Sequence, residues 1–227
     1  MSFSFPRVYP IIDASIIPAT GRAEFLRRLG GSLAEAGVTL LEYRNKTGVP
    51  NDRSSSLGWK TGADAELLAD AAVLRAALPA GQVKLILDDR VDLVEQIGFD
   101  GVHVDSGDAT PAEARRLLGP KRIVGTFGGG ATLVPGILET PADYFSIGPV
   151  FPTRTKQTTN APIGVEGVRK LREQAGSGPV LVAVAGITLA TAPAVLAGGA
   201  SVVAVSEALF RQPDPAAEFR RWVAEIG

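Results

Sequence analysis

The feature that most constrains the fold is a regular alternation of short apolar segments with longer amphipathic ones along the 227 residues. The short segments are rich in β-branched residues and apolar at nearly every position, which is typical of parallel strands covered on both faces. Strands are predicted at residues 8–13, 38–44, 83–88, 101–104, 122–126, 144–147, 180–184 and 201–205.

The longer segments carry apolar residues at helical spacing. One helix has a clear start, because Thr110 precedes Pro111 and Glu113, which together give a cap, a first-position proline and an acidic first turn. Asp64 is the predicted N-cap of another helix, and Pro135 interrupts a third. Helices are predicted at residues 22–36, 64–78, 91–97, 111–118, 130–138, 165–175, 190–196 and 216–226.

Eight strand–helix units in a chain of this length predict one α/β domain over residues 1–227, a closed (β/α)₈ TIM barrel. A doubly wound open sheet is the structural alternative, but no glycine-rich dinucleotide fingerprint follows the first strand. The segment 47–62 is longer than the usual βα connection of about 2–6 residues. It is interpreted as a surface insertion or as a lid over the barrel mouth, and Trp59 favours the lid.

Charge and cysteine content exclude several classes of function. The net charge is -1 and there is no cysteine, so a disulfide framework, a thiolate metal site and a thiol nucleophile are impossible. Neither nucleic acid nor an acidic membrane is an expected partner. No signal peptide or membrane-length apolar run occurs, so we expect a cytoplasmic protein. Its expected partners are small phosphorylated molecules, and a homo-oligomer is compatible with the sequence.

Acidic residues follow two neighbouring strands where barrel enzymes place their chemistry. Asp88, Asp89 and Asp108 would bring like charges together, and such carboxylates resist ionisation unless a cation joins them. Magnesium suits this arrangement, because it accepts one or two carboxylates together with waters and phosphate oxygens. For Asp89 alone, capping of the helix near residue 91 is the alternative.

Basic residues are predicted at the same end of the barrel. Arg44 and Lys46 share the end of the second strand, and Lys156 follows the sixth. A guanidinium and two ammonium groups beside a metal–carboxylate pair make a pyrophosphate site.

The last two strand ends give a separate signal. Gly186 follows the seventh strand and Ser206 the eighth, where many barrels bind a monophosphate through backbone N–H groups. A tight-turn glycine is the alternative interpretation. His103, the one histidine, lies within a strand, so packing or a structural hydrogen bond is predicted for it.

Five stretches between residues 8 and 209 resemble the thiamine-phosphate synthase family: "YPIID", "LEYRNK", "LILDDRVDLVEQIGFDGVHVDSGD", "GPVFPTRTK" and "AVAGIT…AVSEAL". Members of that family are (β/α)₈ enzymes. They join 4-amino-2-methyl-5-hydroxymethylpyrimidine diphosphate to a thiazole phosphate and release pyrophosphate. The family also includes a thiazole tautomerase branch, which uses a histidine after strand five that this chain lacks.

The resemblance implies roles for individual residues. It implies that Arg44, Lys46 and Lys156 are catalytic and bind the diphosphate, and that Asp89 and Asp108 hold Mg²⁺. The substrate-binding residues predicted with it are Glu42, Asp88, Thr126, Thr153, Thr155, Gly186, Val205 and Ser206.

Three positions depart from the pattern of this family. Glu42 stands where glutamine is usual, Asp88 where asparagine is usual, and Phe127 where serine is expected. These departures motivate an alternative, a catalytically silent member that binds thiazole phosphate or thiamine phosphate as a regulator. Another alternative is an isomerase of a sugar-phosphate derivative with Asp13 as its base, although no partner acid is evident.

Overall fold

The computed structural model describes residues 3–46, 61–153 and 160–227. Within these ranges, eight parallel strands close into a barrel in chain order, and the last strand pairs with the first. This confirms the predicted fold class. The predicted lid at 47–62 lies outside the described residues, except for its last two. The strands are β1 Val8–Asp13, β2 Leu40–Arg44, β3 Lys84–Asp88, β4 Gly101–Val104, β5 Ile123–Gly129, β6 Tyr144–Ile147, β7 Leu181–Ala183 and β8 Val202–Val205.

Helices follow most of the strands and form the outer layer. Thr110 closes the predicted capping box with Glu113 at the start of α4. Asp64 is not an N-cap, because α2 begins three residues earlier. None of the helices in the described ranges has the length and apolar character needed to cross a membrane. The helices are α1 Arg22–Glu35, α2 Thr61–Ala77, α3 Val94–Ile97, α4 Pro111–Leu118, α5 Gly164–Ala175, α6 Ala192–Ala197, α7 Glu207–Phe210 and α8 Pro215–Ile226.

The helix predicted at 130–138 is wrong. Strand β5 continues to Gly129, whose φ of 156° is a value that glycine adopts readily. The chain then turns back, and Leu133 forms an antiparallel bridge with Gly129. The only helical piece in this stretch is the 3₁₀ turn Ile137–Glu139. Three consecutive glycines and a proline disfavour an α-helix here, because glycine loses the most backbone entropy and proline lacks an N–H.

The core has two parts. A large apolar layer lies between the barrel and the helices, and a smaller cluster fills the barrel itself. Phe3 and Phe5, which precede β1, pack against the inner cluster, and the Phe5 ring lies 5.5 Å from that of Tyr144. The inner cluster consists of Tyr9, Leu40, Ile86, Ile123, Tyr144, Val182, Val202 and Ala204.

A glycine makes room for the largest side chain inside the barrel. Gly125 of β5 pairs in register with Tyr144 of β6. A Cβ at position 125 would lie 2.0 Å from the Tyr144 ring. The absent side chain therefore lets the tyrosine cross the barrel, and its hydroxyl reaches the functional end.

Three αβ loops at the opposite end are fastened in the same way. Arg75 of α2, Arg115 of α4 and Arg172 of α5 each lie near the end of their helix, and each guanidinium donates to carbonyls at both ends of the loop that follows. Charged donors make stronger hydrogen bonds than neutral ones, so these arginines fix the approach to β3, β5 and β7. The acceptors are Leu78 and Val83, Gly119 and Arg122, and Gly176 and Pro179.

Candidate active site

The carboxyl ends of the strands open into a cavity of about 450 Å³. This volume suits a small organic ligand. The cavity brings together residues from seven of the eight strand ends, all except that of β5 among the described residues. Of the predicted site residues, its described lining includes Glu42, Arg44, Asp88, Thr153, Gly186, Val205 and Ser206.

Two cations meet the acidic residues at the β1–β3 side. Arg44 donates to Asp13, and its Nε lies 3.3 Å from Asp88 Oδ2. Lys46 lies 3.1 Å from the same oxygen and donates to Asp89. Residues 44 and 46 are two apart on β2 and its extension, so both reach the same face. Burial opposes both charges, but the carboxylates outweigh it and raise the pKa of Arg44 and Lys46.

Asp88 is a buried carboxylate, and one of its oxygens has no hydrogen-bond partner among the described residues. Burial and the charge of Asp89 raise its pKa, whereas Lys46 and Arg44 oppose that rise. Although both cations lie within ion-pair distance of Oδ2, this oxygen is buried and accepts no hydrogen bond within the described ranges. The cations are therefore aligned with other acceptors and not with Asp88.

Asp89 does not cap a helix, and it lies beside Asp88 without being among the described lining residues of the cavity. Its backbone is left-handed, with φ of 65°, and its N–H donates to the His103 carbonyl at 2.8 Å. The 3₁₀ turn Val91–Leu93 follows Arg90 and has no side-chain cap. Aspartate tolerates this conformation better than most residues, and such strain is often found at functional sites.

The carboxylates of Asp89 and Asp108 lie beside each other. Burial raises the pKa of Asp89, Lys46 lowers it, and Asp108 raises it further. Asp89 Oδ1 is buried and has no hydrogen-bond partner in the described part of the chain. The described residues contain no group of three or more acidic, histidine or cysteine side chains that could hold a metal. A two-carboxylate pair with an unpartnered oxygen nevertheless fits Mg²⁺, which completes its shell with water and phosphate oxygens.

A chain of hydrogen bonds crosses the floor of the cavity. Tyr9 donates to Glu42 Oε2 at 2.9 Å, and its hydroxyl lies 3.2 Å from that of Tyr144. The Tyr144 hydroxyl lies 3.1 Å from His103 Nδ1, and the two rings stack. The predicted structural role of His103 is confirmed, but His103 also lines the cavity, as do both tyrosines.

The floor holds two titratable groups with displaced pKa values. Burial raises the pKa of Glu42 to about 7, while His103 and the Tyr9 hydrogen bond oppose the rise. Burial disfavours the charged form of His103, but Asp105, 3.6 Å from Nε2, and Glu42 outweigh it and raise its pKa to about 9. At neutral pH the Glu42 carboxyl is therefore near the midpoint of its titration, whereas the His103 imidazole is largely protonated.

On the opposite side of the cavity, after β7 and β8, the main chain forms much of the wall. Gly186 has φ of 67°, and a Cβ there would lie 2.5 Å from the Pro152 carbonyl, so the glycine has a packing reason as well. Ala185 beside it is also left-handed, with φ of 76°. Ser206 precedes the four-residue helix α7, and its Oγ is buried without a hydrogen-bond partner among the described residues.

Several predicted residues are not among the described lining of this cavity: Lys46, Asp89, Asp108 and Thr126. The Thr126 hydroxyl donates to the Val104 carbonyl at 3.0 Å. Lys156, Thr155 and Trp59 lie outside the described residues.

Sequence reasoning missed Tyr9, Tyr144 and Arg211, which line the cavity. The two tyrosines lie inside apolar strands, where nothing in the pattern marked them as polar contributors. The register of Gly125 against Tyr144 is the one signal that could have found the second.

A sequence model of thiamine monophosphate synthase matches residues 8–209. The chain belongs to the thiamine monophosphate synthase family. This range contains all eight strands and every predicted site residue, and it ends within α7.

Individual members of the thiamine monophosphate synthase family are similar over nearly their whole length. The chain is 36% identical to the thiamine-phosphate synthase of Koribacter versatilis over 92% of this chain and 90% of that protein. It is 35% identical to the thiamine-phosphate synthase of Agrobacterium fabrum over 90% and 86%. The solved thiamine phosphate pyrophosphorylase of Pyrococcus furiosus matches with a TM-score of 0.70 and 26% identity, covering 96% of both chains.

Proposed function

We propose that this chain is a thiamine-phosphate synthase that condenses 4-amino-2-methyl-5-hydroxymethylpyrimidine diphosphate with thiazole phosphate. The products are thiamine phosphate and pyrophosphate. The observation that carries the proposal is the meeting of Arg44, which lines the cavity, with Lys46 at the Asp88 carboxylate. Membership of the thiamine monophosphate synthase family supports it. Small phosphorylated molecules are then the partners, and a cytoplasmic location stays a prediction.

Arg44 and Lys46 bind the diphosphate and stabilise the departing pyrophosphate. Both are largely buried, with side chains 16% and 20% exposed, so their charges act in a poorly hydrated setting. Preorganised cations at the place where negative charge develops lower the barrier to bond cleavage. Lys156 joins them in this proposal as a prediction that rests on the family resemblance alone.

Asp89 and Asp108 would hold the magnesium ion, with the buried Oδ1 of Asp89 as a ligand. When bound, the ion supplies positive charge that neutralises the diphosphate oxygens. Two protein carboxylates leave the remaining positions to water and substrate phosphate.

The reaction is dissociative in this proposal. The bond between the pyrimidine methylene carbon and the diphosphate oxygen breaks, and its electron pair leaves with pyrophosphate. The methylene cation is stabilised by the aminopyrimidine ring, and the thiazole nitrogen then supplies the electron pair of the new C–N bond. No protein nucleophile is needed.

The lower part of the cavity accommodates the heterocycles. Glu42 and Asp88 contact the pyrimidine in this proposal, and Thr153 lines the space between the two substrates. Gly186 and Ser206 bind the thiazole phosphate, the serine through its unpartnered hydroxyl. Val205 adds apolar lining, whereas Thr126 contributes through the Val104 backbone and not through a substrate contact.

The alternatives have less in their favour. The relatives reported above are named as synthases, and nothing in the comparisons supports a silent regulator. The sugar-phosphate isomerase would need Asp13 as a base, but Asp13 accepts from Arg44 and from the Ser15 N–H. The fold alone is shared with a 3-hexulose-6-phosphate synthase, at 18% identity and a TM-score of 0.62.

The test is release of pyrophosphate by the purified full chain with both substrates and magnesium. We expect release that requires both substrates and stops when the metal is chelated. If calorimetry shows that thiazole phosphate binds but no pyrophosphate is released, the chain is the silent regulator and the proposal is overturned.

A further inference from the structure

The β8 side of the cavity has its own cation. Arg211 lies directly after α7 and lines the same cavity as Ser206 and Glu207. Among the described lining residues, the other arginine is Arg44, which is held by two acids on the far side. A ligand anion at the Ser206 end therefore meets Arg211 as its nearest guanidinium within the described lining.

Arg211 is held over the cavity edge by a weak partner. Its Nη2 lies 2.6 Å from Glu207 Oε1, one helical turn earlier, and its backbone N–H donates to the Glu207 carbonyl. The Arg211 side chain is 69% exposed and that of Glu207 is 30% exposed. Ion pairs this exposed contribute little to stability, so the guanidinium can change partner at small cost.

A phosphate monoester is a stronger partner for the Arg211 guanidinium than the Glu207 carboxylate is. It carries close to two negative charges near neutral pH and offers three acceptor oxygens. A guanidinium binds such a group through two parallel hydrogen bonds, whereas the Glu207 pair uses one short contact.

An independent observation points to a ligand at the same place. The Ser206 hydroxyl is buried, and no described residue hydrogen-bonds to it. The Ser206 hydroxyl accepts no capping hydrogen bond from the N–H groups of α7 either. Buried hydroxyls normally have a partner, so an acceptor from the ligand would satisfy it.

We propose that Arg211 binds the phosphate of the thiazole substrate, leaving Glu207 when the ligand arrives. This inference rests on the proposed function and adds a residue that determines specificity for it. Arg211 discriminates the phosphorylated thiazole from its unphosphorylated alcohol, while Glu207 keeps the guanidinium in reach of the empty cavity.

The first test is titration calorimetry with thiazole phosphate and with the unphosphorylated thiazole alcohol. Arg211→Ala is expected to weaken thiazole phosphate binding about tenfold, the loss of one good ionic contact, and to leave the alcohol unaffected. Arg220→Ala removes an exposed arginine of α8 that does not line the cavity and is the matched control. Equal affinities for thiazole phosphate in wild type and Arg211→Ala would overturn the inference.

Steady-state kinetics adds a second readout. In Arg211→Ala the KM for thiazole phosphate should rise, with kcat and the KM for the pyrimidine diphosphate within about twofold of wild type. Arg211→Lys should fall between wild type and Arg211→Ala, because it keeps the charge but loses the planar fork. A parallel rise of both KM values would point to a general disturbance and contradict the assignment. Absence of turnover in the wild type would count against the proposed function, whereas the calorimetric comparison would still decide the role of Arg211.

Discussion

The Asp88 carboxylate lies 3.3 Å from the Arg44 guanidinium in the interior of the barrel, where the Asp88 side chain is only 4% exposed. Arg44 donates to Asp13, so the guanidinium lies between acids from β1 and β3, the two strands that flank its own. A cation held in this way loses little freedom when it binds an anion. The hydrogen bond to Asp13 therefore preorganises Arg44 before substrate arrives.

Lys46 is expected to act on the departing pyrophosphate. Lys46→Ala should lower kcat by about 100-fold, the usual cost of removing one preorganised charge stabiliser. The measurement is pyrophosphate release at saturating substrate, with Lys121→Ala, an exposed lysine, as the control. Near-normal turnover in Lys46→Ala would remove this residue from the chemistry.

Asp88 is expected to weaken the binding of the diphosphate. Asp88→Asn removes a negative charge from the rim but leaves Arg44 with Asp13 and Lys46 with Asp89. The KM for the pyrimidine diphosphate should therefore fall in Asp88→Asn, while the KM for thiazole phosphate stays the same. Steady-state kinetics with each substrate varied in turn measures both. A higher KM for the diphosphate would show that Asp88 supports binding instead.

Glu42 should make the folded state less stable as the pH rises. Its pKa is raised to about 7 in the fold, so between the unfolded value near 4.3 and about 7 the folded state binds more protons, and the free energy of unfolding falls with pH. His103, with a pKa of about 9, adds a loss of the same sign at higher pH.

Glu42→Gln removes the first effect and reduces the second, because Glu42 is one of the charges that raise the His103 pKa. The difference in unfolding free energy, variant minus wild type, should therefore be about 2 kcal/mol more positive at pH 8 than at pH 5. Urea unfolding at both pH values measures it, with the exposed Glu173→Gln as the control. An equal difference at the two pH values would contradict the displaced pKa.

Asp70 is expected to anchor the outer side of β2. Arg22 donates to its carboxylate from both Nε and Nη2, the Tyr43 hydroxyl donates to it at 2.5 Å, and it is 2% exposed. Asp70→Asn breaks a buried pair and should cost about 3 kcal/mol of unfolding free energy. Glu66→Gln removes only the exposed partner of the same arginine and should cost less than about 1 kcal/mol in the same urea titration. Similar losses in both variants would show that burial does not decide the effect.

The strands were predictable because a parallel barrel buries both faces of each strand and leaves a nearly continuous apolar run. Six residues of β1 and four each of β4 and β6 agree with the predicted bounds. The stretch after β5 failed, because residues 130–138 keep some apolar spacing but their glycines and Pro135 favour a turn.

The charged rim was predictable from position alone, since strand ends of one barrel meet at one edge. Arg44, Lys46, Asp88 and Asp89 do meet there. The polar floor was not predictable, because Tyr144 reaches it only through the space that Gly125 leaves. Such a fit depends on two residues that are 19 positions apart in sequence, and a local pattern does not record it.

The three arginines that fasten the loops before β3, β5 and β7 lie at the end of the barrel opposite the cavity, so structural support and substrate binding occupy different ends. They hold the base of the barrel by contacts that involve neither the cavity nor any of its charges. Loops at the cavity end can therefore change in length and composition without breaking the contacts that hold the strands in order. Substrate specificity can then evolve at one end of the barrel while the fold is maintained at the other.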